Sequence, residues 1–437
     1  MKTLATMLML NPFFGSVLLA DWPEFRGPTG QGIAENSNIP LSWDENQRVT
    51  WKTEIPGKGY SSPVVLGEQI WVTTSIESKA TEEQIKEQFE KSGLDEEKFK
   101  RRQVAGNVSL RAICVDRKSG RLLKNIELFA IDSPDAIHTS NSYASCTPVI
   151  ESDRLYCHFG ASGTACINPS SGEVLWERKI LVDFSVGAGS SPVVYKDLII
   201  LVCDGIDQQF VTALNKHTGE TVWRVERPPI RIEDGQRRKA YSTPLVVHHS
   251  GRDQLVIPGA QWVMSYEPET GEEIWRVDHG DGFSNVPRPV YGRGMVFICT
   301  GFGRAQLWAI RVDGIGDVTN THVVWKQKSQ IPTKPSPVLV DDLLFVMGDT
   351  GIATCFDALT GKPHWKQRIG GNHSASPLYA SGHVYFFSHE GEIFVVKASS
   401  EFTKLATNRI DGQFMASPAV LDSTLILRSD SKLYRIE

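Results

Sequence analysis

Ser191-Pro192-Val193-Val194-Tyr195, the apolar run Leu198-Ile199-Ile200-Leu201-Val202-Cys203, the run Val211-Thr212-Ala213-Leu214-Asn215, the turn Thr218-Gly219-Glu220 and then Val222-Trp223 make up one unit of a repeat. Short apolar runs joined by turn residues read as four antiparallel strands, and such a unit recurring every 40–50 residues or so is a propeller blade. The opening element returns at Ser62-Pro63, Thr147-Pro148, Thr243-Pro244, Arg288-Pro289, Ser336-Pro337, Ser376-Pro377 and Ser417-Pro418, which makes eight copies. Most steps between these prolines are 40 to 52 residues, but the step from Pro63 to Pro148 is 85 and has to hold an insertion. Proline suits the first residue of a strand, where no ladder N–H is needed. The turn glycine suits a hairpin bulge requiring positive φ. The tryptophan of the fourth run, at Trp176, Trp223, Trp275, Trp325 and Trp365, is read as docking one blade on the next.

The final copy stops at Ile436-Glu437 after its third run, whereas Val49-Thr50-Trp51-Lys52 reads as a fourth strand with no blade before it. The expected architecture is therefore all-β: an eight-bladed propeller of four-stranded antiparallel blades over residues 21–437, closed by an N-terminal strand that completes the last blade. Closure removes exposed sheet edges. The insertion, at about residues 75–107, reads as two short amphipathic helices broken at Ser92-Gly93.

The 437 residues carry a net charge of −5, so no global basic field points to nucleic acid. Residues 1–20 have the form of an export signal: Lys2, a mostly apolar stretch over 4–19 interrupted by Asn11-Pro12, and the small Ala20. The expected location is the periplasm or the extracellular space. No later segment has the length of a membrane-spanning helix. The seven cysteines include no CxxC pair, and Cys114, Cys166 and Cys355 occupy a slot that holds alanine or serine in other copies. Metal binding and redox chemistry are not indicated, and a Cys146–Cys157 disulfide is compatible with an oxidising compartment.

Strand polarity places the segments before each proline at one mouth of the central channel. These supply Tyr60, His138, Asn141, Tyr143, Tyr241, Asn285, Arg288, Lys334, Asn372, His373 and Met415, with Arg237, Arg238 and Lys239 on a long connector. Asp204, Asp349, His389 and Asp430 follow second strands and are expected on the same side. Two readings stand: a locally cationic funnel that focuses an anionic ligand, or the ordinary polarity of a water-filled channel.

The Ser-Pro-Val element, the Asp-or-Asn turn with Thr-Gly-Glu and the tryptophan together resemble the PQQ-like propeller repeat over residues 21–437. The family includes quinoprotein alcohol dehydrogenases and BamB-type outer-membrane assembly scaffolds. The opening Trp22-Pro23-Glu24-Phe25-Arg26-Gly27-Pro28 is similar to the start of many secreted bacterial members. The quinoproteins carry a disulfide between adjacent cysteines and a calcium ion beside the quinone. This sequence has no adjacent cysteines and no lipidation cysteine near its start. The resemblance thus implies a non-catalytic exported scaffold for a protein or polysaccharide partner, with no cofactor. The alternative is a dehydrogenase using PQQ and calcium, in which Arg288 or Lys334 pairs with quinone carboxylates and Asp204 or Asp349 serves as base or calcium ligand.

Overall fold

The computed structural model describes residues 22–437, so the export-signal segment lies outside the described residues. Eight antiparallel sheets follow one another around a ring. Blade 1 is the sheet that opens with Val64–Leu66, and the inner strands of blades 2 to 8 begin at Val149, Val193, Leu245, Val290, Val338, Leu378 and Ala419. Each inner strand starts directly after its proline.

Blade 8 closes as the chain ends require. Val49–Glu54 pairs antiparallel with Lys432–Ile436, with Trp51 opposite Arg435. Two blades gain a fifth strand: Ile33–Ala34 runs parallel to the inner strand of blade 7, and Gly316–Asp317 parallel to the outer strand of blade 4.

The tryptophans join blades by one repeated contact. The indole N–H of Trp51 donates to Arg117 O at 3.0 Å, Trp176 to Lys216 O at 3.0 Å, Trp223 to Pro268 O at 3.2 Å, Trp325 to Ala358 O at 2.9 Å and Trp365 to Ser399 O at 3.0 Å. Each acceptor sits in the turn between the third and fourth strands of the next blade. The turn glycine has a second task there, since a Cβ at Gly120 would lie 2.6 Å from the Trp51 ring and one at Gly219 2.7 Å from Trp176. Trp275 departs from the pattern. Blade 5 has no Thr-Gly-Glu turn to receive it, and its N–H goes to Gln254 Oε1 of its own blade at 2.8 Å.

A second belt runs around the channel. The amide of each residue before proline donates to the hydroxyl of its counterpart in the next blade: Ser62 to Thr147, Thr147 to Ser191 and Ser191 to Thr243 at 2.9–3.0 Å, and Arg288 to Ser336, Ser336 to Ser376 and Ser376 to Ser417 at 2.9–3.0 Å. The belt is interrupted between Thr243 and Arg288, because arginine has no hydroxyl. The Arg288 Nε donates to Pro244 O at 2.9 Å instead.

The opening segment plugs the ring. Trp22 bridges to Val65 of blade 1, Pro23 O accepts from Ile150 of blade 2 at 2.9 Å, Glu24 meets Arg288 of blade 5 at 3.2 Å, and Arg26 donates to Pro377 O of blade 7 at 3.4 Å. A segment touching blades 1, 2, 5 and 7 crosses the axis.

In the insertion, Glu82–Ser92 is a helix with a capping box between Thr81 and Gln84, ended by Gly93 in the left-handed region. Glu96–Phe99 adds one further turn, and Phe99 meets Phe89 at 5.1 Å. The flanking strands run out to Lys79 and back from Ala105, beyond the expected start of the insertion. All seven cysteines are free and buried, so Cys146 and Cys157 do not pair.

Candidate functional site

A cavity of about 360 Å³ occupies the channel mouth. Its floor is Phe25, delivered by the plug. The belt hydroxyls Ser62, Thr147, Ser191, Thr243, Ser376 and Ser417 ring the wall above it. Tyr60, Tyr241, Phe283 and Phe302 supply aromatic surface, and Lys239, Lys334, His138, Asn141 and Met415 complete the polar and soft lining. Among the described residues, no aspartate or glutamate lines this cavity.

Seven of the residues expected at the mouth line it: Tyr60, His138, Asn141, Lys239, Tyr241, Lys334 and Met415. Several of these are committed to structure. The Asn141 amide donates to Val186 O and Ala188 O at 2.9 and 3.2 Å, and its oxygen accepts from Ser142 and Ser145. The Tyr241 hydroxyl donates to Phe184 O at 2.7 Å. By contrast, the Lys334 ammonium and the Tyr60 hydroxyl have no hydrogen bond or ion pair among the described residues. His138 Nδ1 accepts from the Ser140 amide at 3.1 Å, so its neutral ring carries the proton on Nε2. Burial, then the nearby Arg102, lowers the His138 pKa.

The structure places the other expected residues elsewhere. Arg288 is buried, with its guanidinium on Glu24 Oε1 at 3.2 Å and on Phe25 O at 2.5 Å, so it anchors the plug. Proline fixes the backbone there, and the ion-pair partner of Arg288 among the described residues, Glu24, comes from the plug side. Tyr143 donates to Asp135 O, Arg238 to Ile232 O, and the Asn285 amide to Cys299 O. His373 is fully buried, with its two ring nitrogens at 2.8 and 2.9 Å from Phe387 O and Gly370 O. Asn372 binds Glu390 and Arg237 lies over the Phe283 ring. The buried Asn285 and His373 turn to backbone carbonyls because a buried polar group must find a partner.

The expected bases meet the same fate. Asp204 forms an ion pair with Arg227 at 2.7 Å in which both side chains are 1% exposed. Asp349 accepts from the amides of Thr333 and Lys334 and from the Thr333 hydroxyl, at 2.6 to 3.3 Å. It thereby fixes the loop that carries Lys334. Asp430 accepts from the Gln413 amide, and His389 bonds Ser374. A calcium ion needs six to eight oxygen ligands, carboxylates prominent among them. This mouth offers hydroxyls and cations without a carboxylate, so its residues do not fit a calcium site.

Sequence reading did not single out Phe25, Phe283, Phe302, Arg102 or Ser185. Arg102 belongs to the insertion, whose strand Arg102–Gln103 pairs with Ile137–His138 and so brings it behind the mouth. Its guanidinium donates to Ser185 O at 2.6 Å and Ser185 Oγ at 3.0 Å.

Comparison with known proteins gives a consistent picture of the fold. Among solved structures, BamB from Moraxella catarrhalis superimposes with a TM-score of 0.52 at 13% identity, covering 77% of this chain and 93% of that one. A europium-containing methanol dehydrogenase gives a TM-score of 0.66 at 12% identity, covering 94% and 90%. The quinohemoprotein alcohol dehydrogenase of Comamonas testosteroni gives 0.65 at 10% identity, covering 97% and 81%. Likeness at these identities speaks for the fold alone. A 1-butanol dehydrogenase (quinone) of Thauera butanivorans is 23% identical over 263 residues, 55% of this chain, and the match spans only 37% of that relative's length. The family described as outer membrane protein assembly factor BamB matches residues 112–257 and 311–413. More than half of the sequence fits that description and the eight blades carry its repeat, so the chain belongs to this family of PQQ-like β-propeller repeat proteins.

Proposed function

We propose that this protein is an exported, non-catalytic binding scaffold whose channel mouth takes an anionic group presented by a protein or polysaccharide partner at the top face. The observation that carries the reading is the charge of the lining: Lys334 and Lys239 face a cavity with no carboxylate. Cavity walls of low dielectric focus their field, although Asp183 and Asp234 behind the wall pull on Lys239. The belt hydroxyls and the free Tyr60 hydroxyl supply donors that orient an oxyanion. Export agrees with the N-terminal sequence, and no helix among the described residues is long and apolar enough to cross a membrane.

A second reading, a dehydrogenase using PQQ and calcium, has in its favour the match to the quinone-dependent butanol dehydrogenase. Against it, no carboxylate among the described residues lines the mouth to ligate calcium. One pair of measurements separates the two. Acidic and neutral oligosaccharides are titrated against the purified protein at low and high salt, and PQQ with calcium is added to a parallel sample assayed for dye reduction with alcohols. The scaffold reading expects salt-sensitive binding of the acidic series, loss of that binding in Lys334→Ala, and no dye reduction. Alcohol-dependent dye reduction would overturn it.

A further inference from the structure

Three loops bring an unusual cluster together behind one wall of the mouth, with Lys239 reaching the cavity. Arg102 comes from the insertion, Ser185 from the connection between blades 2 and 3, and Gln236 and Lys239 from the connection between blades 3 and 4. Ser185 Oγ accepts from Arg102 at 3.0 Å, lies 3.5 Å from Lys239 Nζ, and donates to Gln236 Oε1 at 2.8 Å. Lys239 itself donates to Gln236 Oε1 at 2.5 Å. A guanidinium and an ammonium therefore share one hydroxyl, and neither forms an ion pair with a carboxylate among the described residues. Ser185 adopts φ +62°, a left-handed conformation costly for serine, with its amide held by Asp183 Oδ1 at 2.7 Å.

Lys239 is only 6% exposed and still lines the cavity. Removing a lysine from water beside a second cation, with only neutral hydrogen-bond acceptors, raises the fraction present as uncharged amine. The groups facing it are Arg102 of the insertion, Asp183 of the preceding connection and Asp234 of its own loop. Burial first, then Arg102, brings its pKa down to about 8, against the pull of Asp183 and Asp234. At pH 7 that leaves on the order of a hundredfold more neutral amine than an exposed lysine has.

We propose that Lys239 is a carbonyl-capturing amine and that the mouth takes an aldehyde bearing an anionic group, the anion held by Lys334 and Tyr60 while Lys239 Nζ bonds the aldehyde carbon. The inference rests on the mouth being an anion site and adds the chemistry of its ligand. In the step, the amine lone pair forms the C–N bond and one nitrogen proton passes to the carbonyl oxygen. The resulting carbinolamine loses its hydroxyl together with the second nitrogen proton as water, leaving an imine. Nothing is oxidised or reduced.

The full chain is incubated with pyridoxal 5′-phosphate, reduced with borohydride and mapped by peptide mass. Binding of pyridoxine 5′-phosphate, which has the anion but no aldehyde, is measured alongside on wild type and Lys239→Arg. The expected result is saturable labelling concentrated on Lys239, faster as pH rises toward 8, suppressed by the alcohol, which the wild type binds, and absent from Lys239→Arg. Labelling spread over exposed lysines, with the alcohol still bound, overturns the role of Lys239 and leaves the anion site standing. Failure of both compounds to bind overturns the two together.

Discussion

The amide of Ser417 donates to Ser62 Oγ across 3.1 Å, which ties the last blade to the first on the channel side. On the outer side the same two blades are joined by Trp51 on Arg117. The seam between the chain's two ends is thus held by the same two contacts that repeat elsewhere around the ring.

Removing the Ser62 hydroxyl orphans a buried amide and leaves the rest of the belt intact. Ser62→Ala is expected to cost about 1–3 kcal/mol in urea unfolding, the penalty of an unpaired buried donor. Ser62→Thr, which keeps the oxygen, should recover most of it. Equal stability of the alanine and threonine variants would contradict the role given to the belt.

The outer contact should be tested from both sides. Trp51→Ala removes a docked ring and a hydrogen bond at the seam, with an expected loss of about 3 kcal/mol. Gly120→Ala places a methyl where the Trp51 ring already lies, on a backbone at φ +72°, and should lower the melting temperature as well. The double variant should be less destabilised than the sum of the two, because the clash disappears with the ring.

The Glu24–Arg288 pair joins the plug to blade 5 with Arg288 fully buried. Glu24→Gln leaves that guanidinium without its counter-charge and should cost about 3–5 kcal/mol. Adding Arg288→Ser removes the stranded charge and restores a hydroxyl at the gap in the belt. The pair of substitutions is expected to be more stable than Glu24→Gln alone, as read by thermal melts.

Acid should weaken the fold through its buried histidines. His158 is fully enclosed, its Nδ1 against Thr164 Oγ1 at 2.8 Å, and burial lowers its pKa to about 4. The unfolded chain takes up this proton near pH 6.5 while the native state resists it down to about 4, so stability falls as pH drops through that window. The contribution reaches about 3 kcal/mol at its lower end. His158→Gln should flatten the stability–pH curve between pH 6.5 and 4, and an unchanged slope would assign the acid sensitivity to other groups.

The ring of eight, its tryptophan docking and its closure by the strand around Trp51 were legible in the sequence, because each blade repeats a local pattern and packs only on its neighbours. Spacing alone then fixes the count. The mouth was only half legible. Seven expected residues line it, but position along the chain says which loop a side chain belongs to, and not where that side chain finds its partner. Arg288 turned to Glu24, Asp349 to Thr333, and His373 to two carbonyls, since a buried polar group goes to the nearest group that satisfies it. Arg102 and Lys239 lie 137 residues apart and meet at Ser185 only because the insertion folds back across the rim, a contact between distant segments that no local pattern encodes.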